Sequence, residues 1–315
     1  MITIQTLRSF NTPWNSCAIT MGNFDGIHLG HQKLIAKLLE TTAIHNIQPV
    51  VIAYENQIAA LPGEKPGSIF SPAEKVKLIR AAGVKNVLSV ILDEELRNVP
   101  AQTFLKEILI DKLKAQSIII GYDHRFGKDR LGDYNYLLNE GKNNNFETHK
   151  VEEVSFNQRV VSSSLIRNYI LDGRLEEANH LLLKPFFTDT TVIHGEKRGK
   201  KIGFPTANLA ITEGKIYPPP GVYLTAALYK GKLYKALTNI GVNPTFPGKQ
   251  RSIETHILNF SEEIYGQQLT VFFLEKIRDE MKFQDIQTLQ KQIRDDVKVS
   301  DNFSLKNVQN RLTFD

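Results

Sequence analysis

The chain has a single cysteine, Cys17, in 315 residues. That excludes an intramolecular disulfide framework and points to a reducing compartment. No apolar stretch approaches the length of a membrane span, and the amino terminus has no basic region followed by an apolar run. A soluble cytoplasmic protein, with no membrane partner, is therefore expected. Nor does one sign of charge dominate: 39 Lys and Arg stand against 34 Asp and Glu, a net charge of +5. The densest basic cluster, Lys197-Arg198-Gly199-Lys200-Lys201, has only Phe204 near it. An RNA-binding stripe interleaves aromatics with its cations, so a local phosphate site is expected there and no nucleic-acid groove. At this length two domains are expected, each large enough to bury its own core.

What is present is concentrated first in Ile19 to His31, Ile-Thr-Met-Gly-Asn-Phe-Asp-Gly-Ile-His-Leu-Gly-His. Apolar residues from Ala18 to Met21 predict a short buried strand. Gly22 and Gly26 permit a sharp turn, and an amphipathic run from Gly30 to His45 predicts a helix. A strand, glycine turn and helix aim backbone N–H groups and the positive end of a helix dipole at one spot, which suits phosphate. His28 and His31, three apart, are placed to donate to the same anion. As half of a zinc site they would need two more ligands, and no third histidine is near in sequence.

Up to about residue 183, short apolar runs alternate with longer amphipathic ones. Strands are expected at Ala18 to Met21, Val50 to Tyr54, Asn86 to Ile91, Ser117 to Gly121 and Phe146 to Val151. Helices are expected at Gly30 to His45, Ser71 to Ala82, Ala101 to Leu113 and Asp133 to Glu140. Ser71, Pro72 and Glu74 read as a capped helix start. The alternation predicts an α/β domain, a parallel sheet with helices on both faces and ligands at the carboxyl ends of its strands. Two polar clusters fall at that edge: the loop Tyr122 to Asp133, and Ser162-Ser163-Ser164-Leu165-Ile166-Arg167, which opens a helix. Each reads either as plain surface or cap, or as an anion-gripping element.

Pro185 ends a helical segment, Arg174 to Leu182, and the pattern then changes to short β runs. The expected domains are thus 1–184 and 185–315. Runs at Asp189 to His194, Gly221 to Tyr229, Lys232 to Ile240, Ser252 to Leu258 and Gln268 to Leu274 predict a small antiparallel barrel of five or six strands. Tyr229-Lys230-Gly231-Lys232 reads as a hairpin turn. A helix from Asp285 to Val297, with Ile286, Leu289, Ile293 and Val297 on one face, is expected to pack across the barrel. The segment Gly203-Phe204-Pro205-Thr206-Ala207-Asn208-Leu209 offers the neutral oxygens of Thr206 and Asn208 on one side, which suit Mg²⁺, and also reads as an ordinary turn.

The block Gly22 to His31 is similar to the signature of nucleotidyltransferases that join AMP from ATP to a phosphate-bearing acceptor. It most resembles the amino-terminal half of the prokaryotic bifunctional riboflavin kinase/FAD synthetase family. The loop from Gly121 to Gly127 resembles that family's Gly-x-Asp/Asn-x-x-Phe-Gly segment, and the serine block its Ser-Ser-Thr-x-Ile-Arg segment. In the second half, Gly203 to Leu209 is similar to the riboflavin kinase signature. Pro220 to Tyr223, Thr238 to Phe246, Glu254 to Phe260 and Arg278 to Phe283 follow in the family's order. The resemblance implies a Rossmann-like nucleotidyltransferase domain followed by a riboflavin kinase-like barrel, with ATP as co-substrate, Mg²⁺ as cofactor, and riboflavin, FMN and FAD as the other ligands. It implies Glu254 as the base of the kinase reaction, Thr206 and Asn208 on Mg²⁺ and phosphate, and Lys197, Arg198 and Lys200 closing over ATP. For the transferase half it implies His28 and His31 as donors to the α-phosphate. Gly22, Asn23, Phe24, Asp123, Ser163, Ser164 and Arg167 are implied on the nucleotide.

There are departures. Where the family has Thr-Phe-x-Pro-His-Pro after its second strand, this chain has Ala53-Tyr54-Glu55-Asn56-Gln57-Ile58. Val160 replaces an arginine, Ser164 a threonine and Asn259 an aspartate. Two other readings therefore stay open: a paralogue that keeps one activity, the kinase before the transferase, and a non-catalytic flavin- or RNA-binding regulator.

Overall fold

The computed structural model describes residues 4–55, 67–195, 199, 202–242, 251–305 and 309–314. The chain divides into two units, one of residues 1–67 and 71–163, the other of residues 68–70 and 164–315.

The first unit is a five-stranded sheet ordered β3-β2-β1-β4-β5, with every described pair parallel. Its strands are β1 (Cys17–Gly22), β2 (Gln48–Tyr54), β3 (Asn86–Val90), β4 (Ala115–Gly121) and β5 (Glu147–Val151). All five expected strands are there, within two residues at each end. Central β1 is covered on both faces, so Cys17, Ala18 and Ile19 are fully buried, as the unbroken apolar runs of a parallel sheet require. Each Ile or Val so buried contributes roughly 1.5–3 kcal/mol. The helix Leu29–His45 follows β1 and buries Ile35 and Leu38. The helix Pro72–Ala81 starts with the full capping box: Glu74 N donates to Ser71 Oγ at 3.3 Å, and Ser71 N to Glu74 Oε2 at 2.8 Å. The expected helix 101–113 differs in kind, since Ala101–Thr103 is α and Phe104–Lys112 winds as a π-helix. Phe104, Leu105, Ile108 and Leu109 are its buried side, so the wider winding packs Phe104 and Leu105 inward together. Strand order reverses between β1 and β4, which leaves a crevice at their carboxyl ends.

The second unit is a closed six-stranded barrel ordered β10-β11-β12-β9-β8-β13. Its strands are β8 (Phe187–Ile193), β9 (Ala207–Leu209), β10 (Gly221–Tyr229), β11 (Lys232–Val242), β12 (Arg251–Ile257) and β13 (Gln268–Arg278); a separate two-stranded hairpin of the first unit is β6 (Ser155–Phe156) with β7 (Arg159–Val160). The sixth barrel strand is the three-residue β9, too short to announce itself by alternation. Lys230 and Gly231 both take positive φ, 47° and 77°, the turn that matches the twist of a two-residue hairpin. Inside the barrel, Thr238 Oγ1 lies 2.9 Å from both Thr225 Oγ1 and Thr255 Oγ1, so three fully buried hydroxyls satisfy one another. The helices Ser163–Leu171 and Leu175–Leu181 precede Pro185. Asn179 ties the second of them to the barrel by donating to Phe273 O at 2.9 Å and accepting from Phe186 N at 2.7 Å.

The carboxyl-terminal helix runs Ile286–Asp301 behind the N-cap Asp285, which accepts from Thr288 N at 2.7 Å. Its expected apolar face is only partly realised: Leu289 and Ile293 are half-buried, whereas Ile286 is 58% exposed. Ile286 sits in the first turn, ahead of the contact. A polar clamp holds the helix instead, with Arg278 Nη2 2.8 Å and Nε 3.0 Å from the buried carboxylate of Asp296.

Candidate functional site

In the α/β unit, the turn after β1 is built from backbone that most side chains avoid. Phe24 has φ 48°, Gly26 92° and Ile27 43°. For a β-branched residue such as Ile27 this is a true outlier, with strain on the order of 1–3 kcal/mol per residue. Burial of Phe24, Asp25 and Ile27, all at 0% exposure, holds it in place. Ser163 adds a tie across 138 residues, donating from Oγ to Asp25 O at 2.8 Å.

The turn delivers His28 to the N-cap of the helix Leu29–His45, without a side-chain cap bond. Its ring stacks on His31 with centroids 3.7 Å apart, and Phe24 packs on the other ring at 5.0 Å. Gly30 makes room for this, since a Cβ there would stand 3.1 Å from His28 Cε1. Burial lowers the pKa of His28 to about 4. Burial, helped by His28 and Lys75, holds His31 well below the usual histidine value. Both imidazoles are neutral at pH 7, and among the described residues neither Nδ1 has a hydrogen-bond partner.

Gly22, Asn23, Phe24, His28, His31, Asp123 and Ser163 all line one cavity of about 260 Å³. It opens at the carboxyl ends of β1, β4 and β5, where the sheet's reversal leaves space. Phe24 is fully buried and packs on His31, while Asp123 is exposed at the rim. Ser164 and Arg167 are grouped with the second unit, where Arg167 Nη1 donates to Ser164 Oγ at 3.4 Å.

Two residues of this unit were missed by sequence reasoning. His124 lines the same cavity with Nε2 out of solvent and without a hydrogen-bond partner among the described residues, and burial, with Arg130 nearby, lowers its pKa to about 4. Its only sequence signal is its place in the loop after β4. Lys75 is the other, a lysine 1% exposed behind the turn. A neighbouring cavity of about 250 Å³ has Leu96, Phe104 and Phe126 as walls, with Arg97, Arg125 and Arg130 around it.

In the barrel, β12 alternates cleanly: Ile253, Thr255 and Ile257 face the core, and Ser252, Glu254 and His256 face outward, half-buried. Glu254 pairs with Asn208 of β9 on one side and Asn239 of β11 on the other. Directly opposed residues share a face, so one carboxylate lies between two amides. Thr206 Oγ1 donates to Glu254 Oε2 at 3.3 Å. Glu254, Thr206 and Asn239 line a cavity of about 470 Å³ whose far wall includes Leu289, Ile293 and Asp296 of the last helix. Thr206 also borders a second cavity, about 280 Å³, with Phe260 and Tyr265 in its wall. Asn239 had no assigned role from sequence; its register opposite Glu254 reveals it. Lys197, Arg198 and Lys200 lie outside the described residues, as do Asn56 to Ile58 of the departing segment.

Thr206 and Asn208 set neutral oxygens beside the Glu254 carboxylate, and neutral oxygens of this kind fit a hard cation such as Mg²⁺ that keeps several of its waters. Among the described residues no helix is long and apolar enough to cross a membrane.

Comparison with known proteins divides the chain in the same sense. A FAD synthetase family model matches residues 11–165, and a riboflavin kinase family model matches residues 182–304. A bifunctional riboflavin kinase/FMN adenylyltransferase of Pseudomonas fluorescens is 33% identical over 304 residues, covering 93% of this chain and 95% of its own. The protein of the same description from Bacillus subtilis is 33% identical, covering 88% and 89%. A crystal structure from Streptococcus pneumoniae, described as a macrolide-efflux protein, superposes with a TM-score of 0.86 at 30% identity, covering 96% of this chain and 99% of that one.

Proposed function

Because the chain belongs to the bifunctional riboflavin kinase/FMN adenylyltransferase family, we propose that its two kinds of cavity carry the family's two reactions. As a member it is a transferase that phosphorylates riboflavin to FMN with ATP, and adenylylates FMN to FAD with release of pyrophosphate. We assign adenylyl transfer to residues 1–184 and the kinase to residues 185–315, in the cytoplasm. No observation favours a chain that keeps one activity or a non-catalytic regulator.

The observation that carries the assignment is the contrast of donors. The α/β cavity holds stacked neutral imidazoles whose buried Nδ1 atoms have no partner among the described residues, whereas the barrel cavity holds a carboxylate between amides.

For adenylyl transfer the nucleophile is the FMN phosphate, already anionic at neutral pH, so no base is needed. Its oxygen attacks the α-phosphorus of ATP, and the bond to the pyrophosphate oxygen breaks. His28 and His31 donate to the oxygens on which charge builds, with the turn N–H groups and the helix N-terminus behind them. Gly22, Asn23 and Ser163 bound the nucleotide, and Ser164 and Arg167 are assigned to it by resemblance. The adjoining cavity with Phe104, Phe126 and the three arginines suits a flat aromatic acceptor bearing a phosphate.

In the barrel, Glu254 takes the proton of the riboflavin hydroxyl as that oxygen attacks the γ-phosphorus of ATP, and ADP leaves. The flavin occupies the cavity under Leu289 and Ile293, and the adenine the cavity beside Phe260 and Tyr265. Thr206 and Asn208 would hold Mg²⁺ with the phosphates, which neutralises charge on them. Lys197, Arg198 and Lys200 are assigned to ATP.

The test is chromatography of products from purified protein with riboflavin, ATP and Mg²⁺, and in parallel with FMN, ATP and Mg²⁺. FAD in both, with FMN as an intermediate in the first, is expected. FMN accumulating without FAD removes the transferase assignment.

A further inference from the structure

Lys75 stands on the helix Pro72–Ala81, with 1% of its surface exposed. Its ammonium, with three N–H donors, lies within reach of four oxygens: Asn23 O at 3.2 Å, Asn23 Oδ1 at 3.4 Å, Glu55 O at 3.5 Å and Tyr54 O. One cation thus gathers the chain where it leaves β1 with the chain where it leaves β2. Taking an ammonium out of water is expensive, and it is sustained only by such a set of oxygens. A buried apolar side chain would fill the space at less expense, but would remove the donor that these oxygens share.

The contacts act on the side facing the cavity. With Oδ1 of Asn23 turned to Lys75, the amide's N–H donors are left for the cavity that Asn23 lines. With Asn23 O also held, the entry to the strained Phe24–Ile27 backbone is fixed. The charge reaches further still: Lys75 is one of the groups that depress the pKa of His31.

We propose that Lys75 is a positioning residue for adenylyl transfer: its buried ammonium sets the Asn23 amide and the Asn23–His28 turn in the geometry the transition state needs. This rests on the reading of that cavity as the adenylyl-transfer site. Lys75 touches no reacting atom in this role and works through Asn23 and the turn. Its removal is therefore expected in kcat, since a small misplacement of aligned groups slows the reaction by about 100-fold.

The test compares the full-length protein with Lys75→Met and Lys75→Arg. For each, kcat and KM for ATP are measured with FMN as acceptor, and riboflavin phosphorylation is measured alongside. Lys75→Met is expected to lower kcat for FAD formation about 100-fold, with KM for ATP within about threefold and riboflavin phosphorylation unchanged. Lys75→Arg, which keeps the charge, is expected to recover at least about tenfold of that loss. Should Lys75→Met fail to fold, Lys75→Gln takes its place as the variant without the charge. A kcat within twofold of wild type in the folded variant without the charge, or parallel loss of both activities in both variants, overturns it. Wild-type protein that makes no FAD removes the site reading itself, an outcome distinct from an active wild type with indifferent Lys75 variants.

Discussion

In the α/β unit the groups aimed at the cavity are neutral imidazoles kept from water behind a strained turn; in the barrel the central group is a half-buried carboxylate on a regular strand. On the assignment proposed above, each is fitted to its nucleophile. A phosphate needs no deprotonation, so what helps is a set of fixed donors with little to reorganise, and fixing them takes burial, a stacked pair and positive-φ backbone. A hydroxyl must lose a proton, so the barrel offers an acceptor within reach of water and spends nothing on strain: β12 is plain antiparallel ladder, and its register alone sets Glu254 between Asn208 and Asn239. The difference locates fragility. The first site depends on distant parts of its unit holding a turn, and the second on local strand pairing.

The sharpest way to break the comparison is Glu254→Gln, which keeps shape and removes the proposed base. Riboflavin phosphorylation is expected to fall about 10²–10⁴-fold, while FAD formation from supplied FMN continues at the wild-type rate; steady-state rates of the two reactions on one preparation check it. Equal loss in both would mean that Glu254 serves the fold. The mirror experiment is His31→Ala. Removing one donor is expected to lower FAD formation about 10²–10³-fold and leave riboflavin phosphorylation intact.

Much of this was legible in the sequence, and the limits are physical. The alternation that gives the parallel sheet survives because both faces of β1, β2 and β4 are covered, and the Ser71-Pro72-Glu74 start forms the box its residues predict. Glycine and histidine spacing brought His28 and His31 together because one short helix turn carries both. Lys75, His124 and Asn239 were not readable. A lysine on an amphipathic helix looks solvated until the ends of two strands are folded over it, and a histidine in a charged loop looks exposed until Phe126 packs beside it. Asn239 acquires meaning only from pairing with Glu254, which depends on barrel register. The three-residue β9 and the exposed Ile286 fail for a related reason, since short elements and helix ends are decided by tertiary contact.

The smallest predicted effect turns on protonation. The histidines with lowered pKa values, His28, His31 and His124, all belong to the α/β unit. For His28 the folded value is about 4 against 6.5 for the ordinary group. Between those values the unfolded chain binds a proton that the folded unit refuses, so folding stability falls as pH drops from about 6.5 toward 4 and is fully present above it. By pH 5 the loss is on the order of 2 kcal/mol for a histidine so shifted. The sole tryptophan, Trp14, lies in this unit and donates from Nε1 to Leu113 O at 2.9 Å. Its fluorescence therefore reports the α/β unit directly. Urea titrations followed at Trp14 are expected to show a lower midpoint at pH 5 than at pH 7.5, and His28→Asn is expected to shrink that difference. An equal difference in the variant would mean that His28 is not held neutral, and the donor role would then fall to His31 and the turn.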